Sequence, residues 1–446
     1  METLRRSIRK IFLAGLSAAD PYQAVRWHLS CQNNILRVKT GAASTEQHYD
    51  LTRFRKIFIL GAGKASIPMA AACEDLLNRE FGQGVVITKY GHRKPLRTLE
   101  ILEAGHPVPD AASLQGAREI AAILKETRKD DLVIFLTSGG CSALLAQPVP
   151  SVTLTEKKRL TDLLLRSGAN ILEINTVRKH LSLVKGGNLA RASYPSTVIN
   201  LILSDVVGDD PDVIGSGPFV PDPSTFQGAL EVLEKYSLTP RVSPKILKHL
   251  TSGKEGKIGE TPKPGDPCFR KVSNLIVGNN LTALDSAAVT ARGLGYQTHI
   301  LTAQIQGEAR EIAKVYAAIA REVKRSGHPF PPPVCILAGG EPTVTIKGRG
   351  LGGRNTELAL ALAIETKNLR NMVFLSGGTD GTDGPTEAAG AIVNSRSFGK
   401  AIQQGLNPAA YLRDNDSYSF FKKTGELLLT GPTGTNVMDI HILLIG

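Results

Sequence analysis

Four apolar runs in this chain end in glycine. They are Ile57-Phe58-Ile59-Leu60-Gly61-Ala62-Gly63-Lys64, Val133-Ile134-Phe135-Leu136-Thr137-Ser138-Gly139-Gly140, Val334-Cys335-Ile336-Leu337-Ala338-Gly339-Gly340 and Val373-Phe374-Leu375-Ser376-Gly377-Gly378-Thr379-Asp380. A short run that is apolar on both faces and closed by glycine and small hydroxyl residues matches a strand of a parallel sheet, which helices cover on both sides. The carboxyl edge of such a sheet presents backbone N–H groups where phosphates are commonly held. The pattern predicts α/β architecture and an anionic, phosphate-bearing ligand.

With 446 residues the chain exceeds a single core, so two domains are expected. No apolar run approaches the ~18–20 residues of a membrane helix, and no membrane partner is expected. At the N-terminus Leu4, Ile8, Ile11 and Phe12 fall at helical spacing among Arg5, Arg6, Arg9 and Lys10, and Asp20-Pro21 stops the pattern. That is an amphipathic docking helix rather than a signal or transit peptide, which would need a long apolar centre. The net charge of +12 is spread along the chain, and a single Trp with nine Tyr and thirteen Phe offers little for base stacking. Attraction of a small polyanion is expected, with no nucleic-acid partner. Five irregularly spaced cysteines form neither a zinc pattern nor a disulfide framework, which fits a cytoplasmic protein.

Strands are predicted at 56–60, 85–89, 132–136 and 198–203, with helices at about 65–79, 111–127 and 155–167. Segment 251–271 breaks the alternation, since Thr261-Pro262-Lys263-Pro264-Gly265-Asp266-Pro267 places three prolines in seven residues. Each removes a donor and fixes φ. Strands at 274–277, 299–301, 334–337 and 372–375 then alternate with helices at about 283–292, 308–325 and 357–365. The expected division is a domain over 1–250, a linker or surface insertion over 251–272, and a second α/β domain over 273–446.

Gly61-Ala62-Gly63-Lys64 would aim an ammonium across a helix N-terminus. It is no Walker loop, because Phe58 and Ala65 occupy required positions, and no full dinucleotide fingerprint, because Ser66 replaces the third glycine. Thr88-Lys89-Tyr90-Gly91 supplies no ribose-binding carboxylate. Ser138, Gly139, Gly140 and Ser142 form a small-residue turn suited to wrapping phosphate. As a nucleophile elbow it fails, since Ala143 stands at the final glycine. Arg178 and Lys179 could clamp a carboxylate or phosphate, or could form a solvated basic face, and His180 reads as structural. Asp205, at a strand tip, suits Mg²⁺ or a substrate hydroxyl, whereas Asp209, Asp210 and Asp212 read as loop-solvating. Gly352 and Gly353 enter a helix beside Arg354 and Asn355, an arrangement suited to phosphoryl oxygens. Asp380 lies in a carboxylate-bearing turn, suited to magnesium or to Asx turns. A calcium loop starting there would need Glu where Ala391 stands.

Taken together, these segments resemble the glycerate 2-kinase, or MOFRL, family over nearly the whole chain. The resemblance is carried by Gly63-Lys64, Glu103 to Asp110, Ser138-Gly139-Gly140, Asn175 to His180 with Lys185-Gly186-Gly187, Leu203 to Val206, Gly340 to Thr343, Gly352 to Asn355 with Glu357-Leu358, Gly377 to Pro385, and Gly431 to Val437. It implies a Rossmann-like N-terminal domain with a parallel sheet, a MOFRL-type α/β C-terminal domain, and an active site in the cleft between them. The family's active-site lysine and arginine match Lys64 and Arg354. Two positions depart from the family pattern: Cys141 replaces a third glycine and Thr356 a glutamine. The implied reaction transfers the ATP γ-phosphoryl group to the 2-hydroxyl of D-glycerate, giving 2-phosphoglycerate. On this reading Lys64 and Arg354 stabilise the phosphoryl group, with Asp205 in the catalytic set, and Gly61, Gly63, Ser138, Gly139, Gly140, Ser142, Gly352, Gly353 and Asn355 hold ATP. Asp205 or Asp380 takes Mg²⁺, and Arg178 or Lys179 takes the glycerate carboxylate. The alternatives are an NAD(P)H-dependent hydroxypyruvate reductase and a non-catalytic sugar-acid binding module.

Overall fold

A computed structural model describes residues 2–40, 45–77 and 84–446. The chain divides into two compact units. A parallel-sheet unit comprises Pro21–Ser204 and Asp209–Val277. A mixed-sheet unit comprises the N-terminal residues to Asp20, Asp205–Gly208 and Gly278–Gly446.

In the parallel-sheet unit six strands lie in the order Glu100–Ala104, Val85–Lys89, Lys56–Ala62, Asp131–Thr137, Thr197–Leu203, Val272–Gly278. Numbered along the chain within this sheet, the order is 3-2-1-4-5-6, the doubly wound Rossmann arrangement. Strand Asp131–Thr137 is buried at every residue, as its unbroken apolar run requires. Flanking helices begin where polar side chains can cap them. Asp110 caps Ala111–Lys125, Thr153 with Glu156 caps Leu154–Arg166, and Asn170 with Glu173 caps Ile171–His180. The first βα helix is Ser66–Leu77, and its predicted end at Arg79 lies outside the described residues. A small antiparallel sheet, Leu29–Gln32, Ile35–Thr40 and Thr45–Asp50, precedes these elements and had no counterpart in the sequence reading.

Three segments sit elsewhere than their place in the sequence implied. Val272–Gly278, read as opening the second domain, closes the first sheet: the Val198 amide donates to Lys271 O at 2.9 Å, and Asn200 Nδ2 donates to Asn274 Oδ1 at 2.8 Å. The proline-rich stretch before it is stitched into the same unit. The Asp222 amide donates to Pro262 O (2.9 Å), Thr261 Oγ1 to Asp222 Oδ2 (2.9 Å), and the Phe226 amide to Glu260 Oε1 (2.9 Å). The N-terminal helix Glu2–Ala18 belongs to the mixed-sheet unit, with Ile8, Ile11 and Phe12 fully buried. A helix that docks through one apolar stripe can dock on any matching surface, and its own chain supplies one.

The mixed sheet runs Gln297–Ile305, Val334–Gly340, Asp439–Ile445, Met372–Gly378, Gly390–Asn394, Leu427–Leu428. The C-terminal strand Asp439–Ile445 lies antiparallel between the third and fourth glycine-ended runs, bringing Asp439 level with Gly340 and Gly378. Among the described residues no helix is long and apolar enough to cross a membrane.

Candidate active site

In a 3-2-1-4-5-6 sheet, strands 1 and 4 are neighbours whose following connections leave in opposite directions, opening a crevice beyond their carboxyl ends. Here those strands end in Gly61-Ala62-Gly63-Lys64 and Ser138-Gly139-Gly140. The two turns are bonded to each other. Gly63 N–H donates to Ile87 O (3.1 Å), Lys64 N–H to Gly139 O (2.8 Å), and Ala65 N–H to Ser138 Oγ (3.1 Å). Gly61 is still within the strand, opposite Leu136. The first turn therefore offers its lysine side chain rather than open amides. In the second turn the Gly139 and Gly140 amides find no partner among the described residues. Gly140 has φ +84°, and a Cβ there would lie 2.8 Å from the His106 ring and 3.4 Å from Lys64 Cγ, so only glycine fits. Burial, then the charges of Lys64, Lys89 and His92, pushes His106 down to about 4, which keeps its ring neutral in this basic corner.

Two residues further on, Ser142 is the meeting point of a cationic cluster. Its Oγ accepts from Arg178 Nη2 at 2.6 Å and from Lys185 Nζ at 3.1 Å, and its carbonyl accepts from Lys185 Nζ at 2.9 Å. Ser142 Oγ also bonds Ser216 Oγ (2.8 Å), which donates to Asn175 Oδ1 (3.0 Å). Lys157 Nζ donates to Leu181 O at 3.1 Å. Lys185 is 1% exposed and Lys157 6%, yet among the described residues none of these three cations meets a carboxylate. Burial, then the Arg178 charge, pushes Lys185 down to about 7, and burial alone pushes Arg178 down to about 10. Burial, reinforced by Lys185 and Arg178, holds Lys157 well below the usual lysine range. Buried like charges without a counter-ion are costly, and a bound anion removes that cost. All three line a cavity of about 610 Å³ bounded by Pro107, Val108, Leu165 and Ile171.

The mixed-sheet unit is the opposite case. Arg354 donates to both carboxylate oxygens of buried Asp439, from Nε at 2.6 Å and Nη2 at 3.0 Å, and from Nη1 to Glu341 at 2.8 Å. Burial works against its charge, but Asp439 and then Glu341 outweigh it and raise its pKa. The helix Arg354–Glu365 is capped by buried Asp383, which accepts from the Asn355 amide (2.9 Å), the Thr356 amide (2.8 Å) and Thr356 Oγ1 (2.7 Å). The glycine-rich loop ahead of it is tied to residues 414–418. The Gly350 amide donates to Asp414 O (2.8 Å), the Leu351 amide to Asp416 Oδ1 (2.9 Å), and the Tyr418 amide to Leu351 O (2.9 Å). Asp380 Oδ1 accepts from the Thr382 amide and hydroxyl, each at 3.0 Å, and Asp205 Oδ2 accepts from Asn436 Nδ2 at 3.2 Å.

Residues 7–251 match the profile described as a domain of unknown function, DUF4147, and residues 334–439 match the MOFRL family profile. The chain is 41% identical to a glycerate 2-kinase of Pyrococcus horikoshii over 96% of its own length and 94% of that protein's. The chain belongs to the glycerate 2-kinase (MOFRL) family. A crystal structure of glycerate kinase from Thermotoga maritima superposes with a TM-score of 0.88 at 40% identity, covering 100% of both chains. An Agrobacterium vitis protein bearing a provisional hydroxypyruvate reductase name is 41% identical over 99% of this chain and 94% of its own.

Within this family member the parallel-sheet unit brings together Lys64, Ser138, Gly139, Gly140, Ser142 and Arg178. Lys179, expected beside Arg178 as a substrate clamp, is 2% exposed and ion-paired with Asp212 and Asp222. Successive helical residues point about 100° apart, so one faces the cavity and the next the interior. Asp212, read as loop-solvating, is one of its partners. Gly353 and Asn355, expected to cradle phosphate, are occupied otherwise: the Gly353 amide donates to Thr356 Oγ1 (3.1 Å), and Ser376 Oγ donates to Asn355 Oδ1 (2.6 Å). Gly352 packs so closely on Ser417 that a Cβ would overlap its hydroxyl. His180 is buried, with Nδ1 on Thr176 O (2.7 Å) and Nε2 on Glu260 (3.0 Å), in keeping with a structural role. Residue-by-residue reading missed Lys157, Lys185 and His106 as site residues. For the last two the signal was the proximity of Lys185-Gly186-Gly187 and His106-Pro107 to the other motifs. Lys157, within the helix predicted at about 155–167, carried none.

Proposed function

We propose that the chain is an ATP-dependent glycerate 2-kinase, transferring the γ-phosphoryl group of ATP to the 2-hydroxyl of D-glycerate with Mg²⁺, in the reducing cytoplasm that suits its five free cysteines. The observation that carries this reading is the gathering on Ser142 of buried Lys185 and half-buried Arg178, which meet no carboxylate among the described residues, next to the open Gly139 and Gly140 amides at the switch point of the sheet. Both substrates are anions, and phosphoryl transfer asks a protein mainly for charge neutralisation and alignment.

Lys64, without a carboxylate partner among the described residues, neutralises charge on the transferring group. The Gly139 and Gly140 amides receive phosphoryl oxygens. Arg178 and Lys185, positioned by Ser142, receive an anionic oxygen of a substrate. Arg354, its orientation set by Asp439 and Glu341, is the second cation proposed for the phosphoryl group. The carboxylates assigned to Mg²⁺ are Asp380 and Asp205. Asp380 fits a hard cation, because Thr382 fixes Oδ1 while Oδ2 has no partner among the described residues. Among the described residues no three His, Cys, Asp or Glu side chains cluster, which is compatible with an ion that takes one or two carboxylates and completes its shell from phosphate and water. When bound, Mg²⁺ would supply charge neutralisation on the phosphates.

The test is a phosphorus NMR spectrum of the product formed by the full-length protein from ATP, Mg²⁺ and D-glycerate. The expected product is 2-phosphoglycerate with stoichiometric ADP. Absence of ADP production, or NADH consumption with hydroxypyruvate, overturns the reading.

A further inference from the structure

The cavity beside Ser142 is larger and more apolar than D-glycerate requires. A three-carbon polyhydroxy acid has no apolar face to set against proline, leucine and isoleucine. Val108, Leu165 and Ile171 nonetheless line this cavity while 56%, 61% and 51% exposed. A concave site of about 610 Å³ with apolar walls and a few convergent charged groups has the volume and composition of a small-molecule pocket. The charge argument runs the same way. Arg178 is charged, and Lys157 and Lys185 can each take up a proton beside a bound anion, with no carboxylate partner for any of them among the described residues; that is more cationic capacity than one glycerate carboxylate needs, and it suits a polyphosphate. The polar end of the cavity is lined by Ser142, which closely follows the glycine turn at the switch point. Ser142 is two residues from Gly140, whose amide has no partner among the described residues and where a Cβ would meet His106 and Lys64.

We infer that this cavity is the nucleotide seat. The purine and ribose lie against Val108, Leu165 and Ile171, and the phosphates pass over Arg178, Lys185 and Ser142 toward the Gly139 and Gly140 amides and Lys64. This rests on the kinase reading for the direction of the phosphate chain, but the binding itself can be tested without turnover.

The experiment titrates full-length protein with ADP by calorimetry, without glycerate, alongside steady-state KM values for ATP and D-glycerate. Leu165→Glu and Ile171→Glu put a carboxylate at the exposed apolar wall. Each is expected to weaken ADP binding at least tenfold and raise the ATP KM by a similar factor, leaving the D-glycerate KM within about twofold. Val108→Glu, on the facing loop, repeats the test from the other wall should a helix variant melt early. If ADP affinity is unchanged in all three while kinase turnover persists, the nucleotide sits elsewhere and only this inference falls. If ADP binds and the variants weaken it but glycerate is not phosphorylated, the seat stands and the kinase reading falls. A wild-type protein that binds no ADP at millimolar concentration overturns the inference.

Discussion

Two glycine-dense segments, 138–142 and 348–353, look alike in sequence and end in opposite states. In the first, the Gly139 and Gly140 amides stay open and the neighbouring cations Arg178 and Lys185 lack carboxylates among the described residues. In the second, loop amides bond to residues 414–416, a carboxylate of the chain itself already occupies the helix N-terminus, and Arg354 is gripped in a bidentate pair by Asp439. Glycine lets backbone come close to something, but composition does not say whether that is a ligand or another stretch of the same chain. What separates the two cases is whether charge and hydrogen-bonding capacity are left unsatisfied.

The contrast can be broken most decisively at Lys64. Lys64→Ala should reduce kcat by roughly 100- to 1000-fold, the usual cost of removing a charge-stabilising donor, with an unchanged melting temperature. Near-normal turnover would remove Lys64 from the chemistry. At Arg354 the expected effect falls on both axes. Arg354→Ala leaves buried Asp439 without its main partner, so urea unfolding should show a loss of about 3 kcal/mol in addition to lost turnover. A variant that loses activity at full stability would mean that the Asp439 pair is not structural.

Smaller effects sharpen the comparison. Gly350→Ala forces a Cβ into Asp416 and to within 2.6 Å of Asp414 O, which should lower stability by about 1–2 kcal/mol while leaving both KM values unchanged. A rise in the ATP KM would restore a ligand-binding role for that loop. The smallest expected change has the opposite sign. Lys185→Met removes an uncompensated buried charge, so the ligand-free protein should gain about 1 kcal/mol at pH 6. The folded pKa of Lys185, about 7, lies below the ordinary lysine value of 10.5. The unfolded chain therefore binds more protons between those values, and wild-type stability rises with pH across that window. The advantage of the variant should shrink from pH 7 upward, and ADP should stabilise wild type more than the variant. An advantage that does not change with pH would show that Lys185 is already paired.

The two α/β units and their glycine-ended strands were legible, because unbroken apolar runs and turn residues act locally. Asp439–Ile445 went unread although the turn-rich Gly431 to Asn436 precedes it, and Lys157 because a lysine beside Lys158 and Arg159 looks like a solvated face. Neighbouring Arg178 and Lys179 could not be told apart by type, only by which way each turn of helix points.

From the order of its residues alone, this polypeptide specifies alternating strands and helices, the sites of its tight turns and its kinship with the glycerate 2-kinases, since periodicity, capping and motif spacing are properties of short segments. Only the folded arrangement decides that Val272–Gly278 completes the first sheet and the first helix joins the second unit. It also decides that Arg354 meets Asp439 across 85 residues while Lys185 meets no carboxylate among the described residues. Charge compensation and amide pairing depend on distance in space, and distance along the chain does not set it.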